Sequence, residues 1–128
     1  MTKNISIYEM RQKMSKEKIF EMPFKKIYPL LVSKALKKGR SEEEVQKIVT
    51  WLLGYSDTDI KHMLIGDTSY GDFFKNAPCL NPRRKLIKGM ICGVRLEEIE
   101  DPLMQEIRYL DKLIDELAKG KALDKIMR

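Results

Sequence analysis

The densest run of chemistry-bearing residues in this chain is Asn81-Pro-Arg-Arg-Lys-Leu-Ile-Lys88, with Arg95 a short step beyond. Read as a helix capped by Asn81, starting at Pro82 and running to about Cys92, it puts Arg83, Arg84 and Lys85 in the first turn. The helix dipole disfavours cations there, and a broken local rule often marks a functional site. Cations over free backbone N–H groups would hold an anion or a phosphate. Arg83, Arg84, Lys85, Lys88 and Arg95 are therefore the candidate anion- or nucleic-acid-binding residues. The safer competing reading pairs these cations with the carboxylates of Glu97-Glu-Ile-Glu-Asp101 just downstream.

Other constellations are thinner. Residues 45–64 have the helix–glycine–helix spacing of a DNA-binding helix-turn-helix, with Val49, Leu53, Gly54, Tyr55, Ile60 and Met63 at packing positions. The outward residues of its second helix are Ser56, Asp57, Thr58, Asp59, Lys61 and His62. Two carboxylates on a recognition face repel DNA, so a plain helical corner is the better reading. Asp67, Tyr70 and Asp72 sit in a glycine-flanked loop that misses the EF-hand spacing and suits a solvated turn. Cys79 and Cys92 match no metal or redox motif, and His62 is the sole histidine, which excludes a histidine-built metal site within one chain. Nucleotide-binding glycine loops, nucleophile elbows and zinc-protease motifs are all missing. No catalytic residue, metal ligand or cofactor is expected, and the chemistry leans away from an enzyme.

Charge is distributed in blocks. The net charge of +6 resolves into +8 over residues 1–40, −4 over 41–82, +5 over 83–96 and −3 over 97–128. Such asymmetry steers an acidic protein or a nucleic acid, or complements itself within the fold or in a homodimer. With 43% apolar and 34% charged residues, the chain reads as one soluble helical domain. No window approaches the roughly 18 uninterrupted apolar residues that a membrane span needs. The first residues, Met1-Thr-Lys-Asn-Ile-Ser-Ile-Tyr, lack the apolar core of a secretory signal. The expectation is a cytoplasmic protein without membrane partners.

The elements that must position these groups read as helices. Pro23 and Pro29 bracket a turn or kink, and a helix is expected from Pro29 to Lys38. Ser41-Glu-Glu-Glu44 is a capping box that opens a helix stopped by Gly54. Ser56 starts a short helix, and another short turn carries Phe73 and Phe74. An echo at an offset of 39 residues relates Ile48–Leu64 to Ile87–Leu103, as two helical hairpins around one core would. No alternation with a hairpin turn predicts a strand. Asp101, Pro102 and Gly120 supply the cap, first position and stop of a long C-terminal helix. Its stripe of Leu103, Ile107, Leu110, Ile114 and Leu117 is regular enough to offer a self-association face. Two heptads fall short of a coiled coil, and flanking Tyr109 and Leu113 widen the stripe toward burial among several helices.

Four segments carry a family likeness: Tyr28-Pro-Leu-Leu-Val-Ser-Lys-Ala-Leu-Lys-Lys-Gly-Arg40, Trp51-Leu-Leu-Gly-Tyr-Ser56, Asn81-Pro through Gly93-Val-Arg, and above all Asp101 to Lys121. From Lys16 onward the chain resembles the bacterial domain-of-unknown-function 2200 family, small proteins with no established activity. The resemblance implies no functional residues. It leaves residues 1–15 as an N-terminal extension before a single domain at 16–128. The expected fold is all-α, a compact bundle of about five to seven helices built from helical hairpins, with a long C-terminal helix. The leading functional expectation is a non-enzymatic protein that self-associates or binds an acidic partner. A nucleic-acid-associated protein using the basic residues is the alternative, and a small-anion-binding protein or enzyme is a weaker third reading.

Overall fold

The computed structural model describes residues 16–128; the expected extension at 1–15 lies outside the described residues. Seven α-helices follow in order: α1 (Lys16–Glu21), α2 (Phe24–Leu36), α3 (Glu42–Leu53), α4 (Asp57–Ile65), α5 (Tyr70–Lys75), α6 (Pro102–Ala118) and α7 (Leu123–Ile126). Between α5 and α6 lie a 3-10 turn at Pro82–Leu86, an antiparallel pair of two-residue strands, β1 (Met90–Ile91) and β2 (Val94–Arg95), and a second 3-10 turn at Leu96–Glu98.

The caps predicted from the sequence close the helix starts. Ser41 accepts from the Glu44 N–H while the Glu44 carboxylate accepts from the Ser41 N–H, and Ser56 and Asp59 repeat the same box at α4. Asp101 accepts from the Met104 N–H at 2.9 Å with Pro102 in the first position of α6. At the other end of α6, Lys121 N–H donates to the Glu116 carbonyl and Gly120 N–H to that of Leu117, the two bonds of a Schellman stop.

Helix α6 packs against α2, α3, α5, α7, β1 and the second 3-10 turn. Ile107, Leu110, Leu113, Ile114 and Leu117 are wholly buried on it. Below lies an aromatic cluster: Phe24 and Phe73 rings stand 4.4 Å apart, and Tyr55, Tyr70 and Phe74 stack or meet edge-on around Phe73. The 66–72 segment is thus more than a solvated turn, because Tyr70 is driven fully inside. The junction between α1 and α2 clips onto it: Tyr70 N–H donates to the Met22 carbonyl at 2.7 Å and Phe24 N–H to that of Thr68 at 2.9 Å.

Three local expectations are corrected. Helix α2 begins at Phe24 and runs through Pro29; Ile27, Tyr28, Leu31, Val32 and Ala35 bury one face, and that burial outweighs the single backbone bond Pro29 removes. The helix expected from Pro82 to Cys92 stops at Leu86. A hairpin follows, with Cys92 at φ 53 and Gly93 at φ 78. Two consecutive left-handed residues match the right-handed twist of the strands they join, and glycine takes that conformation without strain. The echo at offset 39 consequently fails as architecture: Ile48–Leu64 is a helical corner and Ile87–Leu103 is largely turns and hairpin.

Candidate functional site

The basic segment is held on a rigid backing. Its entrance, Pro78 to Asn81, lies across the C-terminus of α3. Cys79 N–H donates to the Leu53 carbonyl and Asn81 N–H to that of Leu52, each at 3.0 Å. The Asn81 side chain donates to the Trp51 carbonyl at 3.1 Å, while its oxygen accepts from Arg83 N–H at 2.9 Å. Carbonyls that the end of α3 would otherwise leave unpaired are thereby satisfied. This approach requires Gly54, which sits at φ 87; a Cβ there would stand 2.8 Å from both the nitrogen and Cβ of Cys79.

Beyond Asn81, side chains fasten the segment to α6. Arg84 Nε donates to both carboxylate oxygens of Glu106, at 2.9 and 3.0 Å, and its Nη1 donates to the Asn81 carbonyl at 3.0 Å. Lys85 Nζ lies 5.8 Å from the centre of the Tyr109 ring, within cation–π range. Burial, reinforced by Glu106, pushes the Tyr109 hydroxyl above its ordinary pKa. The hairpin is tied by Lys112 Nζ, which donates to the Met90 carbonyl at 3.0 Å. Gln105 donates to the Leu96 carbonyl at 3.1 Å. Ile87, Ile91 and Leu96 are the buried anchors.

Arg83, Arg84 and Lys85 do not pair with the 97–101 carboxylates as the safer reading supposed. Arg84 reaches Glu106 on α6 instead. Glu97 accepts from Gly89 N–H at 2.9 Å, and that bond holds its carboxyl below the usual carboxylate range. Asp101 is committed to capping α6. Among the five cations, Arg95 lies 3.7 Å from Glu98 on the surface, and Arg95 and Lys88 both draw on the Glu97 carboxylate. Nor do the cations sit at the head of a long helix, since a five-residue 3-10 turn has little dipole to oppose them. Arg83, Lys85, Lys88 and Arg95 are exposed, and the same segment exposes Leu86, Met90 and Val94 at 55%, 47% and 39%, with Met90 paired with Arg95 and Val94 with buried Ile91 across the hairpin. These apolar members were missed in the sequence. A two-residue Cys-Gly step between Met90-Ile91 and Val94-Arg95 was the available signal for a hairpin.

The other sequence candidates separate. Of the proposed self-association stripe, Ile107, Leu110, Ile114 and Leu117 are buried in the chain's own core and Leu103 is half-buried. Of the helix-turn-helix face, Ser56 and Asp59 are spent on the α4 cap, and Asp57, Lys61 and His62 face solvent. Among the described residues no group of three or more His, Cys, Asp or Glu side chains could hold a metal. No described helix is long and apolar enough to cross a membrane.

A second polar cluster joins α2 to α6. Asp115 lies 3.3 Å from Lys34 and 3.0 Å from Lys119, and Arg108 lies 3.4 Å from the fully buried Asp111. Burial lowers the Lys34 pKa against the opposing pull of Asp115. Burial would raise that of Asp115, but Lys119 and Lys34 hold it below the ordinary carboxylate value. Such a pair is costly to break, because it leaves a buried charge uncompensated. It reads as a tether between two helices.

Comparison with known proteins agrees on one identity. No curated protein matches the chain. A crystal structure of an uncharacterized protein, SP1917, is 49% identical, with a TM-score of 0.85 over 90% of this chain and 93% of that one. A family model described as uncharacterized protein conserved in bacteria matches residues 18–128. The chain therefore belongs to that bacterial family, DUF2200.

Proposed function

We propose that this protein is a non-enzymatic interaction module whose 83–95 platform docks an acidic, partly apolar segment of another protein. One observation carries the reading: Arg83, Lys85, Lys88 and Arg95 are exposed in a segment that also exposes Leu86, Met90 and Val94, with Met90 beside Arg95 across the hairpin, and that is fastened by the Arg84–Glu106 and Lys112–Met90 contacts. No carboxylate stands within ion-pair distance of Arg83, Lys85 or Lys88 among the described residues. A rigid patch loses little conformational freedom on binding. Cations give rate and register, while the exposed apolar side chains give area to bury. Phosphates would satisfy the cations equally well, but bases stack on aromatic rings, and the exposed apolar residues here are Leu, Met and Val. That difference favours an acidic protein over a nucleic acid.

The test is binding of three probes by fluorescence anisotropy: a peptide alternating Glu with Leu, a poly-Glu peptide, and single-stranded DNA. The mixed peptide should bind tightest, and the triple change Arg83→Glu, Lys85→Glu, Lys88→Glu should weaken it by about tenfold or more. Met90→Ser with Val94→Ser should weaken the mixed peptide while sparing poly-Glu. Tighter binding of DNA, falling steeply with salt, would transfer the surface to nucleic acid. Absence of binding to all three at low salt would end the proposal. Light scattering across a dilution series separates a second copy of this chain as the partner.

A further inference from the structure

An acid-lined cleft runs along α3. Its volume is about 550 Å³, and it is lined on α3 by Glu43, Lys47 and Trp51, at the start of α4 by Asp57, and just past α7 by Met127. Glu43 and Asp57 are exposed, as is Glu42 next to Glu43. None of the three carboxylates belongs to an ion pair among the described residues. The neighbouring acids are already spent, Glu44 on Arg40 and Asp59 on the Ser56 N–H. Lys47 is the single cation among the described lining residues, so the cleft keeps an excess of negative charge. Trp51 and Met127, both half-buried, add an apolar wall.

An acidic, partly apolar surface is what the 83–95 platform calls for, and this one belongs to the same chain. The two surfaces adjoin where α3 ends. Trp51 lines the cleft, and its carbonyl accepts from the Asn81 side chain at the entrance of the platform, at 3.1 Å. Among the described residues no ion pair joins the platform's exposed cations to the cleft's carboxylates. Opposite patches side by side on one molecule match a second copy turned about a two-fold axis, because residue i then meets residue j and j meets i. Such a pair covers both patches at once, whereas a head-to-tail contact would leave one open and propagate.

We propose that the partner of the platform is a second copy of this chain, in a closed two-fold dimer. Met90 and Val94 of one copy rest on Trp51 and Met127 of the other, while Lys85, Lys88 and Arg95 face Glu43 and Asp57. The apolar residues give area to bury, the indole adds a cation–π surface, and the charges set the register. The proposal rests on the platform reading above and identifies the acidic, partly apolar segment as the α3 face of a second copy.

Light scattering over a dilution series at low salt should give the mass of one chain when dilute and of two chains when concentrated, and added salt should weaken the association. Reversing the platform with Arg83→Glu, Lys85→Glu and Lys88→Glu should weaken the dimer by about tenfold or more, and reversing the cleft with Glu43→Lys and Asp57→Lys should do the same. All five positions are exposed, and thermal midpoints check that both variants fold. Mixing the two variants restores opposite charge at both contacts, so a one-to-one heterodimer should form. Should the cleft reversal fail to fold, Glu43→Gln with Asp57→Asn should still weaken the dimer several-fold. A dimer indifferent to these changes, mixed variants that stay monomeric, or masses growing beyond two chains would overturn the proposal. A monomer at every concentration would overturn it too, and the peptide titration then separates two cases. Binding of the Glu–Leu peptide leaves the platform standing with a different partner, and absence of binding removes both readings.

Discussion

At the scale of single residues, the decisive positions are those whose backbone or polar atoms have one acceptable partner. Gly54 is the clearest. It combines a left-handed φ of 87 with the backbone of Cys79 pressed against the place a side chain would occupy. Gly54→Ala should therefore destabilise the fold by about 2–4 kcal/mol, part from the left-handed conformation and part from displacing the 77–81 segment. Urea unfolding would measure it, and hydrogen exchange should show Cys79 and Asn81 N–H losing protection together. The sequence revealed that glycine as a helix stop and hid its second duty, because the contact comes from a segment 25 residues further on. Tyr55 tells a similar story: its hydroxyl donates to the Phe73 carbonyl at 2.7 Å, and burial pushes its pKa up to about 12.

At the scale of elements, local signals and tertiary burial divide the work unequally. The capping boxes at Ser41 and Ser56 were legible because each is complete within four residues. Removing one is a modest loss: Ser41→Ala should cost about 1 kcal/mol. The stripe of α6 is worth far more, and Leu110→Ala should cost about 2–5 kcal/mol because the site is fully buried and closes on no solvent. Chemical denaturation of both variants would check the ratio, and comparable losses would contradict the central placement of α6. Where sequence reasoning erred, burial overruled propensity. Helix α2 could not wait until Pro29 to start while Ile27, Tyr28, Leu31 and Val32 were being buried around it. The 82–92 run could not continue as a helix once Ile87 and Ile91 had to reach the core from an extended backbone.

At the scale of the whole molecule, one guanidinium ties the start of α3 to the end of α6. Arg40 donates to both carboxylate oxygens of Glu44, at 3.2 Å from Nε and 2.7 Å from Nη2, and to the Lys121 carbonyl at 2.8 Å. One guanidinium thus clasps the start of α3 and the end of α6. That contact, with the Ser41 N–H, holds the Glu44 carboxyl down to about 2 from an ordinary 4.5. A depressed carboxylate stabilises the fold above its unfolded pKa and loses that contribution as pH falls through the folded one. The stability difference between wild type and Glu44→Gln should accordingly be largest near neutral pH and shrink as pH falls from 4.5 toward about 2. Urea midpoints along that pH series would measure it, and a difference independent of pH would show that Glu44 acts only as a cap.

The sequence by itself determined the helical class, most helix starts and stops, the buried stripe of α6 and the family likeness. Each of these is written in contacts between residues three or four apart, which a linear reading can see. Only the tertiary structure decided where the cations of 83–95 spend their charge, that Leu86, Met90 and Val94 stand exposed in the same segment, and that Arg40 reaches the end of α6. Those facts depend on which distant carboxylate or carbonyl the fold brings within 3 Å. Arg84 had six nearer acids in sequence and found Glu106 because α6 passes beneath it. Charge pattern says how much electrostatic free energy is available, and packing alone says between which atoms it is realised.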